Sequence, residues 1–216
     1  KFKSKKIKII KYNQDIINKS DWVFLAVTPV VGNKILEQLK FNKRKLIISF
    51  ISTINLTQLK KITGLKTNIV RAIPLPPIAL CKGPVPIYPP NKKVKKFFDK
   101  LGSTVEINNE KLSLNFWTTS AMMAPFYEIL YFLSDWLVKK GIKKQNAQKY
   151  ISSLFLALSE DAFKHKKNLK KLVKESQTPG GLNEQAVKDL RKAGFYRLLE
   201  KTSNRIIKRL NKSQSN

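Results

Sequence analysis

The sequence predicts an α/β region built on a parallel sheet, followed by an all-α region. Two observations lead there. In the first half, short apolar runs alternate with amphipathic stretches at a spacing that fits strand–helix–strand units. Such units have right-handed crossovers and therefore parallel strands. From about Asn108 onward every periodic segment has helical spacing. The boundary is drawn at that change, giving a sheet-bearing part over 1–107 and a helical part over 108–216. A chain of 216 residues with 42% hydrophobic content is long and apolar enough for one large or two small cores.

Taken in order, Ile7–Ile10 reads as a strand and Asn13–Asn18 as a short helix. Trp22–Val27 is a continuous apolar run ending at Thr28-Pro29, as expected of a strand buried on both faces. Val31, Ile35 and Leu39 give helical spacing over Val30–Leu39. Leu46–Ile51 and Thr67–Ala72 read as strands, with a helix over Leu56–Ile62 between them. The prolines from Pro74 to Pro90 bar a regular helix, and Val85–Tyr88 fits a strand within that passage. Lys93–Leu101 reads as a helix with Gly102 as its C-cap, followed by a strand over Ser103–Ile107. In the helical part, Phe126, Ile129, Leu130, Leu133, Trp136 and Leu137 mark a helix beginning near Pro125 and closed by Gly141. Tyr127, Tyr131 and Phe132 add apolar surface on its other faces, which calls for covering on nearly every side. Ala147, Tyr150, Ile151, Leu154, Leu158 and Ala162 mark a second long helix. Lys167–Glu175, Leu182–Ala193 and Phe195–Leu210 follow, and Asn211–Asn216 reads as a frayed polar tail.

The net charge of +29 first suggests a polyanionic partner. Its distribution argues otherwise: the excess is mostly Lys, spread over the whole chain, and the aromatics fall in apolar runs rather than between basic residues. No nucleic-acid role and no membrane role is therefore expected, while the positive field would steer an anionic cofactor or carboxylate substrate. The most apolar stretch, Ala121–Val138, is broken by Glu128 and Asp135 and reads as a buried helix, not a span. The single cysteine, Cys81, excludes an intrachain disulfide and a cysteine-rich zinc site. It fits a reducing, cytoplasmic setting, and with no base beside it in sequence it reads as a small packed residue. His165 stands alone among basic residues and reads as a solvated helix position. Met122 and Met123 read first as core filling.

Three segments in order carry a resemblance: Asp21-Trp-Val-Phe-Leu-Ala-Val-Thr-Pro29, Val70-Arg-Ala-Ile-Pro-Leu-Pro-Pro77 and Thr178-Pro-Gly-Gly181. They are similar to the D-x-V-hydrophobic-L-A-V-K-P, V-R-A-M-P-N-T-P and S-P-G-G segments of pyrroline-5-carboxylate reductases. Lys192-Ala-Gly-Phe195 and the terminal helix with Arg205 and Arg209 also fall in family order, so the similarity runs from about Lys5 to Leu210. The resemblance implies a partial Rossmann-like domain followed by a helical dimerisation domain. It implies hydride transfer from NADPH or NADH to a cyclic imine carboxylate, as in proline biosynthesis, by a homodimer joined through its C-terminal helices, with larger assemblies allowed. The cofactor side falls to Ala26, Val27, Thr28, Pro29, Arg71, Pro74 and Leu75, through backbone more than side chains. The small-molecule carboxylate falls to Thr178, Gly180, Gly181 and Met123, and the catalytic position to Asn183. Backbone N–H groups of a glycine corner at a helix start suit an anion. An amide at Asn183 offers a hydrogen bond but is a poor proton source.

The sequence departs from the family in four places. The Gly-x-Gly-x-x-Gly unit that cradles a pyrophosphate is not present, and the chain opens on Lys rather than Met. Some 50 further residues are expected upstream, since a βαβ unit takes about 30 or more, and without that unit dinucleotide binding is expected to be poor. S-G-S-G-P is replaced by Ala121-Met-Met-Ala-Pro125, the family Thr after the glycines by Asn183, and the Asn before the second proline by Leu75. These changes leave two rival readings open: a non-catalytic dimeric relative with a decayed pocket, and a basic nucleic-acid-binding protein.

Overall fold

The computed structural model describes residues 7–64, 68–165 and 168–215. The chain divides into two compact units. One comprises the chain up to Ser120 together with residues 206–216; the other is Ala121–Arg205. The division falls one helix after the sequence change at 107/108.

The first unit is an α/β sheet structure. Helix α1 (Asn13–Lys19) precedes β1 (Trp22–Leu25), α2 (Pro29–Glu37), β2 (Leu46–Ser49), α3 (Leu56–Thr63) and β3 (Asn68–Ala72). A 3-10 turn over Pro76–Leu80 leads to β4 (Pro84–Tyr88), α4 (Lys92–Phe98), β5 (Ser103–Glu106) and α5 (Glu110–Ser120). The sheet order is β1-β2-β3-β4-β5. Strands β1, β2 and β3 run parallel, with Leu25 opposite Ser49 and Ser49 opposite Arg71, so their carboxyl tips lie side by side. Each face holds a core: Ile17, Val23, Leu36, Ile47, Ile51 and Leu59 on one side, Ile48, Val70, Val85, Ile87, Val94 and Phe98 on the other.

Several expectations are corrected. The sheet is mixed, because β4 runs antiparallel to β3. The proline passage carries only a 3-10 turn and no crossover helix, and a parallel return needs a crossover. Ile7–Ile10 has no strand structure, and Ile9 is exposed. Strand β1 is not buried on both faces, since Phe24 is exposed; among the described residues it is an edge strand, paired with β2. Helix α4 is capped by Asp99 rather than Gly102. Gly102 is needed for another reason, since a Cβ there would overlap the Gly83 carbonyl oxygen, which accepts the Ser103 amide hydrogen. Cys81 is exposed, with φ of 54°, not packed. Of the other expectations, Lys5, Thr67, Lys167 and Asn216 lie outside the described residues.

The second unit is helical: α6 (Met123–Lys139), α7 (Lys144–His165), α8 (Leu169–Glu175), α9 (Leu182–Lys192) and the first part of α10 (Phe195–Ser215). Pro125 sits in the first turn of α6, where its missing N–H removes no helical hydrogen bond. Gly141, with φ of 93°, ends the helix. Helix α10 continues through the segment expected to fray, as far as Ser215. Helices α6 and α7 pack together around Ser134, Ala147 and Ile151. Within the chain their aromatics remain largely open, Tyr131 at 59%, Phe132 at 63% and Trp136 at 57%.

Candidate functional site

The residues expected at the cofactor side come together at the tips of β1 and β3. Ala26 and Thr28 are exposed, and Val27 is half-buried. Thr28 is the N-cap of α2, and its carbonyl accepts the amide hydrogens of Val31 and Gly32 at 3.2 and 2.9 Å. Its hydroxyl makes no cap hydrogen bond. Pro29 takes the first helical position, where a proline is pre-set for the helix. Pro74 and Leu75 are half-buried, and the Leu75 carbonyl starts the 3-10 turn by accepting from Ile78 N–H at 2.9 Å.

Arg71 behaves differently. Its side chain is fully buried, turned to the face that carries Ile69 and Ile47 because side chains alternate along a strand. Nη1 donates to Glu110 Oε1 at 2.5 Å and Nη2 to the Ser52 carbonyl at 2.9 Å. The guanidinium carbon lies 4.1 Å from the centroid of the Trp117 ring, within cation–π range. Burial pulls the guanidinium down from its ordinary value, and the Glu110 carboxylate opposes that pull. The same Glu110 oxygen accepts the Leu56 amide hydrogen at 2.6 Å. Arg71 thus serves the tip through the loop it holds, and its side chain does not face solvent.

In the helical unit, Thr178, Gly180, Gly181 and Asn183 form one corner between α8 and α9. Gly180 adopts φ of 72°, which favours glycine. A Cβ on Gly181 would lie 3.0 Å from the Thr178 carbonyl oxygen, which accepts the Gly181 amide hydrogen at 2.8 Å. Asn183 Nδ2 donates to the Ser176 carbonyl at 2.9 Å, leaving Oδ1 and the second Nδ2 hydrogen. The Gly180 N–H donates to Glu184 Oε2 at 2.9 Å, and Glu184 also pairs with Lys188. First that amide and then Lys188 hold the Glu184 carboxyl below its ordinary value. Beside the corner runs an open groove of about 510 Å³, lined by Lys170, Lys174, Arg191 and Glu184 among others. Met123 stands half-buried at the start of α6, on a different helix from the corner.

Glu110, Ser52, Trp117 and Glu184 take part in these contacts without belonging to the residues expected from sequence. Glu184 had a local signal, an acid three residues past the N-cap Gly181. Glu110 had none, because its partners lie 39 and 54 residues away.

With this geometry in hand, comparison with known proteins is informative. The family described as pyrroline-5-carboxylate reductase dimerisation matches residues 111–213. The family described as NADP oxidoreductase coenzyme F420-dependent matches residues 1–53. A pyrroline-5-carboxylate reductase of Synechocystis sp. is 25% identical over 202 residues, covering 89% of this chain and 75% of the relative. Residues 111–213 thus match the pyrroline-5-carboxylate reductase dimerisation family, and the chain is similar along most of its length to reductases of that name. Its fold is likewise that of solved pyrroline-5-carboxylate reductases. The Plasmodium falciparum enzyme, solved with NADP bound, superposes with a TM-score of 0.83 at 21% identity over 95% of this chain and 81% of its own. The Streptococcus pyogenes enzyme gives 0.80 at 22% identity over 94% and 79%. A Rossmann-like α/β part followed by a helical part is therefore the architecture this chain shares with those structures. Among the described residues, no helix is long and apolar enough to cross a membrane and no cluster of His, Cys, Asp and Glu could hold a metal ion.

Proposed function

We propose that this chain is an NAD(P)H-dependent reductase of a cyclic imine carboxylate of the 1-pyrroline-5-carboxylate type, forming proline or a close analogue. We place it in the cytoplasm as a homodimer. The observation that carries the reading is that the parallel strand tips at 25–28 and 71–75 precede a helical part matching the reductase dimerisation family over 111–213. In open α/β sheets, ligands bind at the carboxyl ends of the strands.

The donor set at those tips fits one flank of a dinucleotide: the exposed residues Ala26 and Thr28 with half-buried Val27 between them, the Thr28 hydroxyl, and the apolar edges of Pro74 and Leu75. The sequence contains no Gly-x-Gly-x-x-Gly, so these residues do not themselves form a pyrophosphate cradle. When bound, the reduced nicotinamide supplies the hydride. This chain's residues would orient the imine and hold its carboxylate: Thr178, Gly180 and Gly181 through the corner, Met123 by packing, and Asn183 through its free oxygen and remaining N–H. The open aromatics of α6 support the homodimer, since an apolar face of this size is ordinarily covered.

One observation favours a second reading. The Gly180 N–H, a donor suited to a substrate carboxylate, already serves Glu184, as it would in a relative whose pocket no longer turns over. Incubating the purified chain with NADPH or NADH and 1-pyrroline-5-carboxylate decides between them. Oxidation of the cofactor matched by proline formation supports the reductase. Cofactor that binds but is left unoxidised, by a chain that is folded and dimeric, supports the second reading.

A further inference from the structure

We infer that Glu110 is a positioning residue for the cofactor side of the site, clipping the loop after β2 to the tip of β3 through Arg71; this rests on the reductase reading above. Residues 52–55 connect β2 to α3 at the carboxyl ends of the parallel strands, where a ligand would lie. Their position is fixed from two sides. The Ser52 carbonyl is held by Arg71 Nη2, and the Leu56 N–H, at the first position of α3, is held by Glu110 Oε1. Glu110 and Arg71 then hold each other. One carboxylate oxygen therefore serves a strand tip and a helix start at once, from a third element, α5.

The chemistry suits positioning rather than contact with a ligand. The guanidinium is fully buried, and the carboxylate side chain is 23% exposed. Trp117, on the same helix as Glu110, lies over the guanidinium, a cation–π contact that helps to hold it in place. Beyond the clip, this segment is held by the Asn55–Gln58 capping box that begins α3 and by the side chain of Ile54, which is buried in the core. If the clip loosens, the loop can move while the strands beneath it stay paired. The cost would then fall on dinucleotide binding, and the chemical step would be spared.

The test compares Glu110→Asp with Glu110→Gln in the full chain. Asp keeps the charge beside Arg71 but is one methylene too short to reach both partners. Gln keeps the reach and an acceptor oxygen but loses the charge. The expected result is a rise in KM for the reduced dinucleotide of about tenfold in the Asp variant, near the weight of one hydrogen bond. The same variant should keep kcat and the imine KM within about twofold, and show faster amide exchange confined to residues 52–56. The Gln variant should restore the dinucleotide KM to within about threefold. A purely structural role would instead lower the active fraction in both variants, with KM unchanged, and would overturn the proposal. So would a dinucleotide KM in the Asp variant within about twofold of the unaltered chain. If the unaltered chain oxidises neither NADPH nor NADH with the imine, the reductase reading and this proposal fall together.

Discussion

Removing Glu110 should cost more stability than removing Arg71, although the two form one ion pair. Glu110→Ala leaves a guanidinium with no exposed surface and no counter-charge. Breaking a buried pair in this way costs about 3–5 kcal/mol. Arg71→Met leaves a carboxylate that is 23% exposed and still accepts the Leu56 N–H, while methionine keeps an apolar contact with Trp117. That variant loses the Ser52 hydrogen bond and the pair, together about 1–2 kcal/mol. Urea unfolding followed by fluorescence of Trp22 and Trp117, both in the sheet-bearing unit, measures the difference. At a slope of about 2 kcal/mol per molar, a loss of about 4 kcal/mol moves the midpoint by about 2 M. The arginine variant should move it by less than half as much. Equal shifts, or a larger one for Arg71→Met, would mean that the guanidinium charge is not desolvated, and the reasoning about this pair would fail.

Three further outcomes are expected. Gly102→Ala should destabilise the sheet-bearing unit by about 1–3 kcal/mol, because the clash is with backbone and no side chain can retreat; a thermal melt unchanged by the substitution would contradict the close approach. The Glu184 carboxyl, held below its ordinary 4.5 by the Gly180 N–H and Lys188, gives a contribution to the α8–α9 corner that is complete above about pH 4.5 and lost as pH falls through the lowered value. Carboxyl titration by NMR should place its midpoint below that of an exposed glutamate, and Gly180 amide exchange should quicken over the same range; a midpoint at the ordinary value removes the cap. Phe132→Asp with Trp136→Asp, both more than half exposed within the chain, should convert a dimer to monomers in sedimentation at little cost to the single chain, and a dimer that survives would place the interface elsewhere.

The periodic parts of the fold were legible in the sequence for a physical reason. Runs such as Trp22–Leu25 and Leu46–Ser49 place apolar side chains on a sheet that needs them, and the pattern is local. The direction of β4 was not legible, because nothing in Pro74–Pro84 states which way the chain returns; that is set by the 3-10 turn and by pairing of Arg71 with Tyr88 and Ala72 with Ile87. Ile7–Ile10 has the composition of a strand but pairs with no strand among the described residues, and composition alone cannot supply a neighbour. Gly102 announced itself as a helix end because glycine commonly serves there. Its actual constraint comes from Gly83, nineteen positions earlier in the chain. The candidate site divides the same way. The glycine corner was legible through its own residues, whereas the inward turn of Arg71 depends on a partner on α5.

Glu110 and Glu184 sharpen that distinction. Each offers a carboxylate to a backbone N–H at or just before a helix start, where amides lack intrahelical acceptors and negative charge is favoured. Glu184 reaches back four residues to Gly180, so it can shape only its own turn, and its spacing gives it away. Glu110 reaches Leu56 across 54 residues and takes Arg71 with it. It links three elements that the sequence separates, and this is why it can transmit a change in one to the position of another. A local cap and a long-range clip share the same electrostatics. They differ in what their loss should disturb: for Glu184 the conformation of one corner, and for Glu110 the position of the loop at 52–55 against the tip of β3.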